Sequence, residues 1–227
     1  MKSVKNTSAF RFKQNIFQTA LILFSILLIN GCVNIKSDYP EIKYYRFSQE
    51  PPSNIGQKEL PVAVQFRDFS ISSQINPFRL MVMEGQNEVS MYYYFRWADD
   101  CSDMAKDFMI ERFSNYNVFK GGVLTPENII MPDYFVEGMV TDMMAYNTED
   151  EDEEKPYVNI QLKISFAVRE IKLSNESVLF TKVYKSKIFR ETNKAETIAP
   201  AFSKALNEIA DKLLTDIVNA IEKHRSS

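Results

Sequence analysis

Histidine is almost absent from this chain of 227 residues, because His224 near the carboxyl end is the only one. A Ser–His–Asp triad, an HExxH zinc site and a histidine-ligated haem each need an imidazole beside other reactive groups. A lone histidine at the far end of the sequence makes all three hard to build. Glycine-rich phosphate loops of the Walker and GxGxxG types are missing too. The sequence therefore predicts no enzyme activity, no metal and no cofactor.

Acidic residues are absent before Asp38, whereas four basic residues lie within the first 13 positions. An apolar run follows from Ile16 to Ile29. It is shorter than the roughly 20 apolar residues that span a bilayer. A positive start and a short apolar core are typical of a secretory signal. The alternative is an uncleaved membrane anchor with an unrelated cysteine behind it.

The end of this run, Ile29-Asn30-Gly31-Cys32, resembles the bacterial lipobox. Gly31 has the small side chain that signal peptidase needs beside the cut, and the thiol of Cys32 can accept a diacylglycerol. We therefore expect cleavage after Gly31 and a covalent lipid on Cys32. Enteric bacteria retain lipoproteins in the inner membrane when an aspartate follows the cysteine, and Val33 stands there instead. By that resemblance we expect a lipid anchor in the outer membrane, with the domain facing the periplasm.

These features divide the chain into a signal peptide at 1–31, a lipidated tether at 32–43 and a single domain at 44–224. The signal contains four of the 27 basic residues and none of the 30 acidic ones, so the remaining 196 residues carry a formal charge of −7. An acidic domain has no general attraction for nucleic acid or for anionic lipid headgroups. The acidic run at 149–154 lacks the spaced ligands of an EF-hand and is predicted to be a solvated loop. The sequence leaves open whether the protein forms a homo-oligomer.

Cysteine is scarce, and only Cys101 remains once Cys32 is acylated. No internal disulfide is then possible. Cys101 is predicted to be a small side chain that is buried or half-buried. The alternative is an intermolecular disulfide, which an oxidising compartment would permit.

Alternating apolar and polar residues predict β-strands along most of the domain. The predicted strands lie at 60–69, 78–84, 89–97, 133–146, 157–171 and 178–189. The loop at 85–88 joins the second and third of them as a hairpin, and the loop at 174–177 joins the last two. Alternation in 157–171 is clean enough to predict one buried face and one wet face.

Two helices complete the predicted fold. The first begins after Ala98, where Asp99 or Asp100 can accept hydrogen bonds from the free N–H groups of the first turn. The second covers 197–224, where apolar residues recur at helical spacing. They are Phe202, Leu206, Ile209, Leu213, Ile217 and Ile221, and the polar residues predicted on the outer side are Lys204, Asn207, Glu208, Asp211, Lys212 and Asp216. The expected fold is α+β, a mainly antiparallel sheet covered on one face by two helices.

The strand at 89–97 is unusually aromatic. Strict alternation predicts one face that packs under the helices, made of Met91, Tyr93, Phe95 and Trp97. The opposite face would expose Tyr92, Tyr94 and Arg96. Exposed tyrosine and arginine are enriched at binding hot spots, so these three residues, with Trp97 nearby, are the predicted partner-binding site. The alternative is an ordinary sheet surface, since tyrosine suits strands.

The order of several short motifs resembles the auxiliary lipoproteins of MCE-type ABC transport systems, the PqiC-like family. The motifs are Tyr44-Tyr45-Arg46-Phe47, Pro61-Val62-Ala63-Val64, the tyrosine-rich strand that ends at Trp97, Asp133-Tyr134-Phe135-Val136-Glu137-Gly138 and Ala201-Phe-Ser-Lys-Ala-Leu206. They extend over residues 44–222, behind the lipid-bearing cysteine. The resemblance implies a lipoprotein without catalytic activity that docks an MCE-type protein and assists lipid transport between the two membranes.

Two other functions stay open. Lipoproteins of lipopolysaccharide assembly also place a sheet and helices behind a lipidated cysteine. A tethered enzyme is the third possibility, and a deep pocket with converging carboxylates would favour it.

Overall fold

The computed structural model describes residues 39–51, 59–85, 87–148, 155–170 and 175–226. Within these ranges, nine strands belong to one sheet. They are β1 (Lys43–Tyr45), β2 (Ala63–Phe66), β3 (Ser70–Ile71), β4 (Arg79–Glu84), β5 (Glu88–Trp97), β6 (Gly122–Leu124), β7 (Tyr134–Tyr146), β8 (Tyr157–Glu170) and β9 (Asn175–Phe189). Helix α1 spans Cys101–Tyr116, and helix α2 spans Ile198–Ser226 after a 3-10 turn at Ala195–Thr197.

Strand β7 organises the sheet because both of its edges are paired. Along one edge it pairs antiparallel with β8, which pairs antiparallel with β9. Along the other edge it pairs in parallel with β2, β3 and β4 in turn. Strands β4 and β5 form the predicted antiparallel hairpin, while β6 and β1 lie parallel to β2 and β5.

The predicted α+β class, with a mostly antiparallel sheet and two helices, is confirmed. The parallel pairings were not predicted, because they join short strands that lie far apart in the sequence. The strand predicted at 60–69 is only the shorter β2, and β3 begins just after the predicted range. The loop predicted at 174–177 was wrong from residue 175 onward, since β9 already begins there.

Both helices lie on the same face of the sheet. The alternating apolar residues of β8 point to that face and are fully buried, as are those of α2 at Leu206, Ile209 and Leu213. Polar contacts also join α2 to β9. Ser186 Oγ donates to Glu208 Oε2 at 2.7 Å, and Tyr184 OH donates to Asp216 Oδ2 at 2.7 Å.

The ends of α1 follow from local chemistry. Asp100, one of the two predicted candidates, is its N-cap, and its Oδ1 accepts a hydrogen bond from the Ser102 backbone N–H at 2.8 Å. Asn117 ends the helix in the left-handed conformation with φ of 53°. On α2, Asn207 was predicted to face outward but is buried. The buried arc of α2 is wider than the sequence predicted because α2 packs against α1 as well as the sheet.

Gly121 lies where two backbones approach closely. A Cβ at this position would lie 2.6 Å from the backbone nitrogen of Ala63 and from the carbonyl carbon of Val62. The Gly121 N–H donates to the Val62 carbonyl at 3.0 Å, so the two backbones cannot separate without losing a hydrogen bond.

We therefore expect Gly121→Ala to lower the free energy of unfolding by about 2 kcal/mol, as measured by urea denaturation. Gly85→Asn is the control, because no atom lies within 4 Å of its added Cβ and asparagine tolerates a φ of +63°. Equal stability of the two variants would contradict the close approach.

The chain divides into two units, Met1–Pro40 and Glu41–Ser227, and of the first only Tyr39 and Pro40 are described. The predicted signal with Ile29, Asn30 and Gly31, and the predicted lipidation site Cys32, lie outside the described residues. So does the acidic run at 149–154. No helix in the described ranges is both long enough and apolar enough to cross a membrane.

Candidate functional site

A bulge in β5 decides which of its side chains are exposed. Met81 of β4 lies opposite Met91, but Arg79, two residues earlier, lies opposite Arg96. The β5 side of this interval therefore contains three more residues than the β4 side. Extra residues in one strand break the alternation of side chains. The odd-numbered residue Met91 and the even-numbered residue Arg96 consequently lie on the same face of the sheet.

The bulge reverses the predicted facing of Tyr92 and Tyr93, whereas Trp97 is buried on the face where the alternation placed it and so leaves the predicted partner site. Tyr92 was predicted to face outward, but it packs against the core and its ring lies 5.5 Å from that of Phe95. Trp97 is only 3% exposed and lies between the rings of Phe47 and Phe202, at centroid distances of 5.0 and 5.9 Å. Tyr93 was predicted to be buried, yet it is 57% exposed. The contacts of Tyr94 and Arg96 with Tyr93 place them at this exposed surface.

Five side chains meet where β1, β5 and β4 lie side by side. We call them the aromatic–arginine cluster, and they are Tyr44, Arg79, Tyr93, Tyr94 and Arg96. Tyr44 and Arg79 are both directly opposite Arg96 in the register, so the three share a face of the sheet. The rings of Tyr93 and Tyr94 meet edge to face at 4.9 Å.

Two positive charges converge on one ring in this cluster. The guanidinium carbons of Arg79 and Arg96 lie 5.6 and 5.5 Å from the ring centroid of Tyr93. Arg96 Nε also donates to the Tyr93 carbonyl at 3.3 Å. Within the described part of the chain, no carboxylate forms an ion pair with either arginine. Like charges that lie opposite each other in a sheet repel, so an anionic group from elsewhere would relieve this pair.

The cluster belongs to the face of the sheet opposite α1 and α2, which we call the outer face. A row of apolar side chains crosses this face at the far end of β7. Register places Val89, Met83, Tyr146, Tyr157 and Phe189 side by side over five neighbouring strands. The rings of Tyr146 and Tyr157 stack at 4.5 Å. None of the five is fully buried, so the outer face presents apolar as well as charged surface.

Charge on the outer face differs from that of the chain as a whole. Lys163 and Lys185 alternate outward from β8 and β9, and Lys187 lies 3.8 Å from the ring centroid of Tyr157. Arg67 is neutralised there by Glu137 and Glu176. The remaining arginines and lysines make the outer face basic in an acidic protein.

Side chains of the types that enzymes use lie at Cys101 and in a groove beside α1. Burial raises the pKa of the Cys101 thiol to about 12, and Asp100 adds to the shift, so this cysteine is protonated at neutral pH. A groove of about 520 Å³ lies between residues 46–49 and α1, with Asp107 and Glu111 on its wall. Burial raises the pKa of Asp107. In the described ranges, no group of three or more His, Cys, Asp or Glu side chains is placed to hold a metal ion.

Solved structures share this fold. Protein XCC0632 from Xanthomonas campestris, described as DUF330, gives a TM-score of 0.70 at 17% sequence identity and covers 82% of this chain and 99% of its own. A second crystal structure, described as an uncharacterized protein, gives a TM-score of 0.56 at 6% identity and covers 78% of this chain and 99% of its own. No family model and no curated protein matches the sequence. These likenesses establish an α+β fold shared with a DUF330 protein.

Proposed function

We propose that this protein is a lipid-anchored docking subunit without catalytic activity, held in the outer membrane by Cys32 and facing the periplasm. Its partner is an MCE-type protein of an ABC transport system that moves lipid between the membranes. The fold shared with a DUF330 protein is compatible with this proposal. The observation that carries it is the pair of arginines, Arg79 and Arg96, stacked on the exposed ring of Tyr93 without an acidic partner in the described residues.

Tyrosine and arginine suit this role for a physical reason. A tyrosine ring buries a large apolar area at a small loss of side-chain freedom, and a guanidinium can bind a carboxylate through two hydrogen bonds. The aromatic–arginine cluster therefore fits a partner surface that presents carboxylates beside apolar groups. The two arginines repel each other in the free protein, and an acidic partner removes that repulsion.

Purification of the lipidated, tagged protein from membranes tests the proposal. We expect an MCE-type protein to co-purify, and mass spectrometry to find acyl chains on Cys32. Arg79→Ala with Arg96→Ala should lower recovery of the partner at least about tenfold, because interface arginines of this kind are frequent hot spots. Lys204→Ala, an exposed position on α2, is the matched control and should leave recovery unchanged.

Two results would count against the proposal. An unmodified Cys32 would remove the anchor. Co-purification of a β-barrel assembly protein in place of an MCE-type protein would indicate that the protein acts in lipopolysaccharide assembly instead.

A further inference from the structure

Three large apolar side chains stand next to each other in solvent in the loop between β6 and β7. We call Ile129, Ile130 and Met131 the apolar tip, and they are 98%, 56% and 73% exposed. Isolated exposed apolar residues are ordinary on a protein surface, whereas a contiguous group is typical of a site of contact with a partner or a membrane. None of the three belongs to the described hydrophobic core or to the partly buried side chains packed against it.

The base of this loop is held in place. Asn128 Oδ1 accepts hydrogen bonds from the backbone N–H and the hydroxyl of Thr125, at 2.7 and 3.0 Å. The Thr125 carbonyl accepts from Gln65 Nε2 at 2.9 Å, which ties this end to β2. Asp133 Oδ2 accepts from the Ala63 N–H at 2.8 Å and ties the other end. A fixed base presents the tip without a large loss of chain entropy on binding.

Basic residues lie at the same end of the sheet as the tip. Tyr134, three positions after Met131, has its ring 6.2 Å from that of His224 in the last turn of α2. That turn also contains Lys223 and Arg225, and the charge of Arg225 acts on Tyr134. Arg169 donates its backbone N–H to the Asp133 carbonyl at 3.0 Å, which places β8 at the same end of the sheet.

We propose that the apolar tip inserts into the surface of a lipid bilayer and that the neighbouring basic residues face its headgroups. Apolar side chains beside cationic ones suit the boundary between headgroups and acyl chains, about 5–10 Å deep. This inference rests on the anchoring part of the proposed function. About ten residues separate Cys32 from β1, and they can extend at most roughly 35 Å. A tether of that length holds the domain at the surface of the bilayer, and a domain that tilts about β1 brings the tip into contact with it.

A bilayer fits the tip better than a pocket in a protein does. Acyl chains are fluid and accept two isoleucines and a methionine without a matching shape. Insertion of the tip also orients the domain. The tip adjoins the first residue of β7, whereas the apolar row lies at its last residue, so the row would point away from the membrane.

Fluorescence of the full lipidated protein in vesicles tests the insertion. Ile130→Cys is labelled with an environment-sensitive nitrobenzoxadiazole dye, since the buried Cys101 and an acylated Cys32 do not react with it. We expect a blue shift and loss of quenching by aqueous iodide when phosphatidylethanolamine vesicles are present, with a larger change when phosphatidylglycerol is included. Lys204→Cys, labelled in the same way on the exposed side of α2, should show neither change.

A second set of variants separates the tip from general adsorption. Ile129→Ser with Met131→Ser should reduce the blue shift at position 130, whereas Val183→Ser, an exposed apolar residue on β9, should leave it unchanged. Equal iodide quenching at positions 130 and 204, in a sample whose Cys32 is acylated, would overturn the insertion and leave the proposed docking function untouched. A shift that requires a membrane-protein extract would also overturn it, in favour of a protein pocket.

Discussion

We expect Trp97→Ala to lower the free energy of unfolding by about 4 kcal/mol, because a large side chain is lost from a site that cannot collapse. The indole is 3% exposed and lies between Phe47 and Phe202. Phe47 follows β1, and Phe202 belongs to α2. Removal of the indole would therefore break the contacts that join β5 to the segment after β1 and to α2. Such a loss corresponds to a melting temperature about 10 °C lower in a domain of this size.

Urea denaturation of Trp97→Ala and Tyr93→Ala measures this difference directly. Tyr93 is 57% exposed, so its replacement should cost about 1 kcal/mol or less. The two residues lie four positions apart in the same strand, and only the bulge assigns them to opposite faces. A larger loss of unfolding free energy in Tyr93→Ala than in Trp97→Ala would contradict the exposed position of Tyr93 and the buried position of Trp97.

We expect Arg112→Ala to lower the free energy of unfolding by about 3 kcal/mol, because it breaks a largely buried ion pair between the two helices. Arg112 Nη2 lies 3.0 Å from Asp211 Oδ1, and Nε donates to Tyr116 OH at 2.8 Å. Nη1 donates to the Glu50 carbonyl and so joins the amino-terminal segment to the helices. Tyr116 in turn donates to Asp211, and burial together with that carboxylate raises the pKa of Tyr116.

Three variants define the origin of this effect. Arg112→Met keeps most of the buried apolar stem and removes only the charge and the hydrogen bonds. The stability that Arg112→Met loses therefore measures the contribution of the charge and hydrogen bonds, and any further loss in Arg112→Ala measures the packing of the stem. Lys212→Ala removes an exposed pair, in which Lys212 Nζ lies 4.0 Å from Glu208 Oε2, and should change stability by less than about 0.5 kcal/mol. Similar losses in Arg112→Ala and Lys212→Ala would show that the buried network adds no more than a surface pair.

Local rules predicted the elements whose signals are local. The cap at Asp100, the hairpin of β4 and β5 and the long strand β8 all depend on residues a few positions apart. The stripe of α2 depends on its own helical period. The parallel pairs of β7 with β2, β3 and β4 depend on partners remote in sequence, so no local signal marks them.

The candidate site could be predicted only in part. An excess of tyrosine and arginine pointed to β5, and Tyr94 and Arg96 belong to the cluster. Tyr92 and Trp97 do not, and Tyr93 was missed. Arg79 was missed as well, because it belongs to a different strand and meets Arg96 only through the register. The exposed apolar tip follows a proline-containing turn and carries no periodic signal at all.

Composition and periodicity by themselves determined an acidic α+β protein with a single terminal histidine and an aromatic strand. The tertiary structure decided how its charges are distributed and which tyrosines meet solvent. Net charge is a sum that does not depend on where residues lie, whereas the basic outer face exists only because separate strands turn their lysines and arginines to one side. The alternation of side chains along β5 is likewise a local rule. It fails where a longer stretch of β5 pairs with a shorter stretch of β4, because the extra residues form a bulge that reverses the faces.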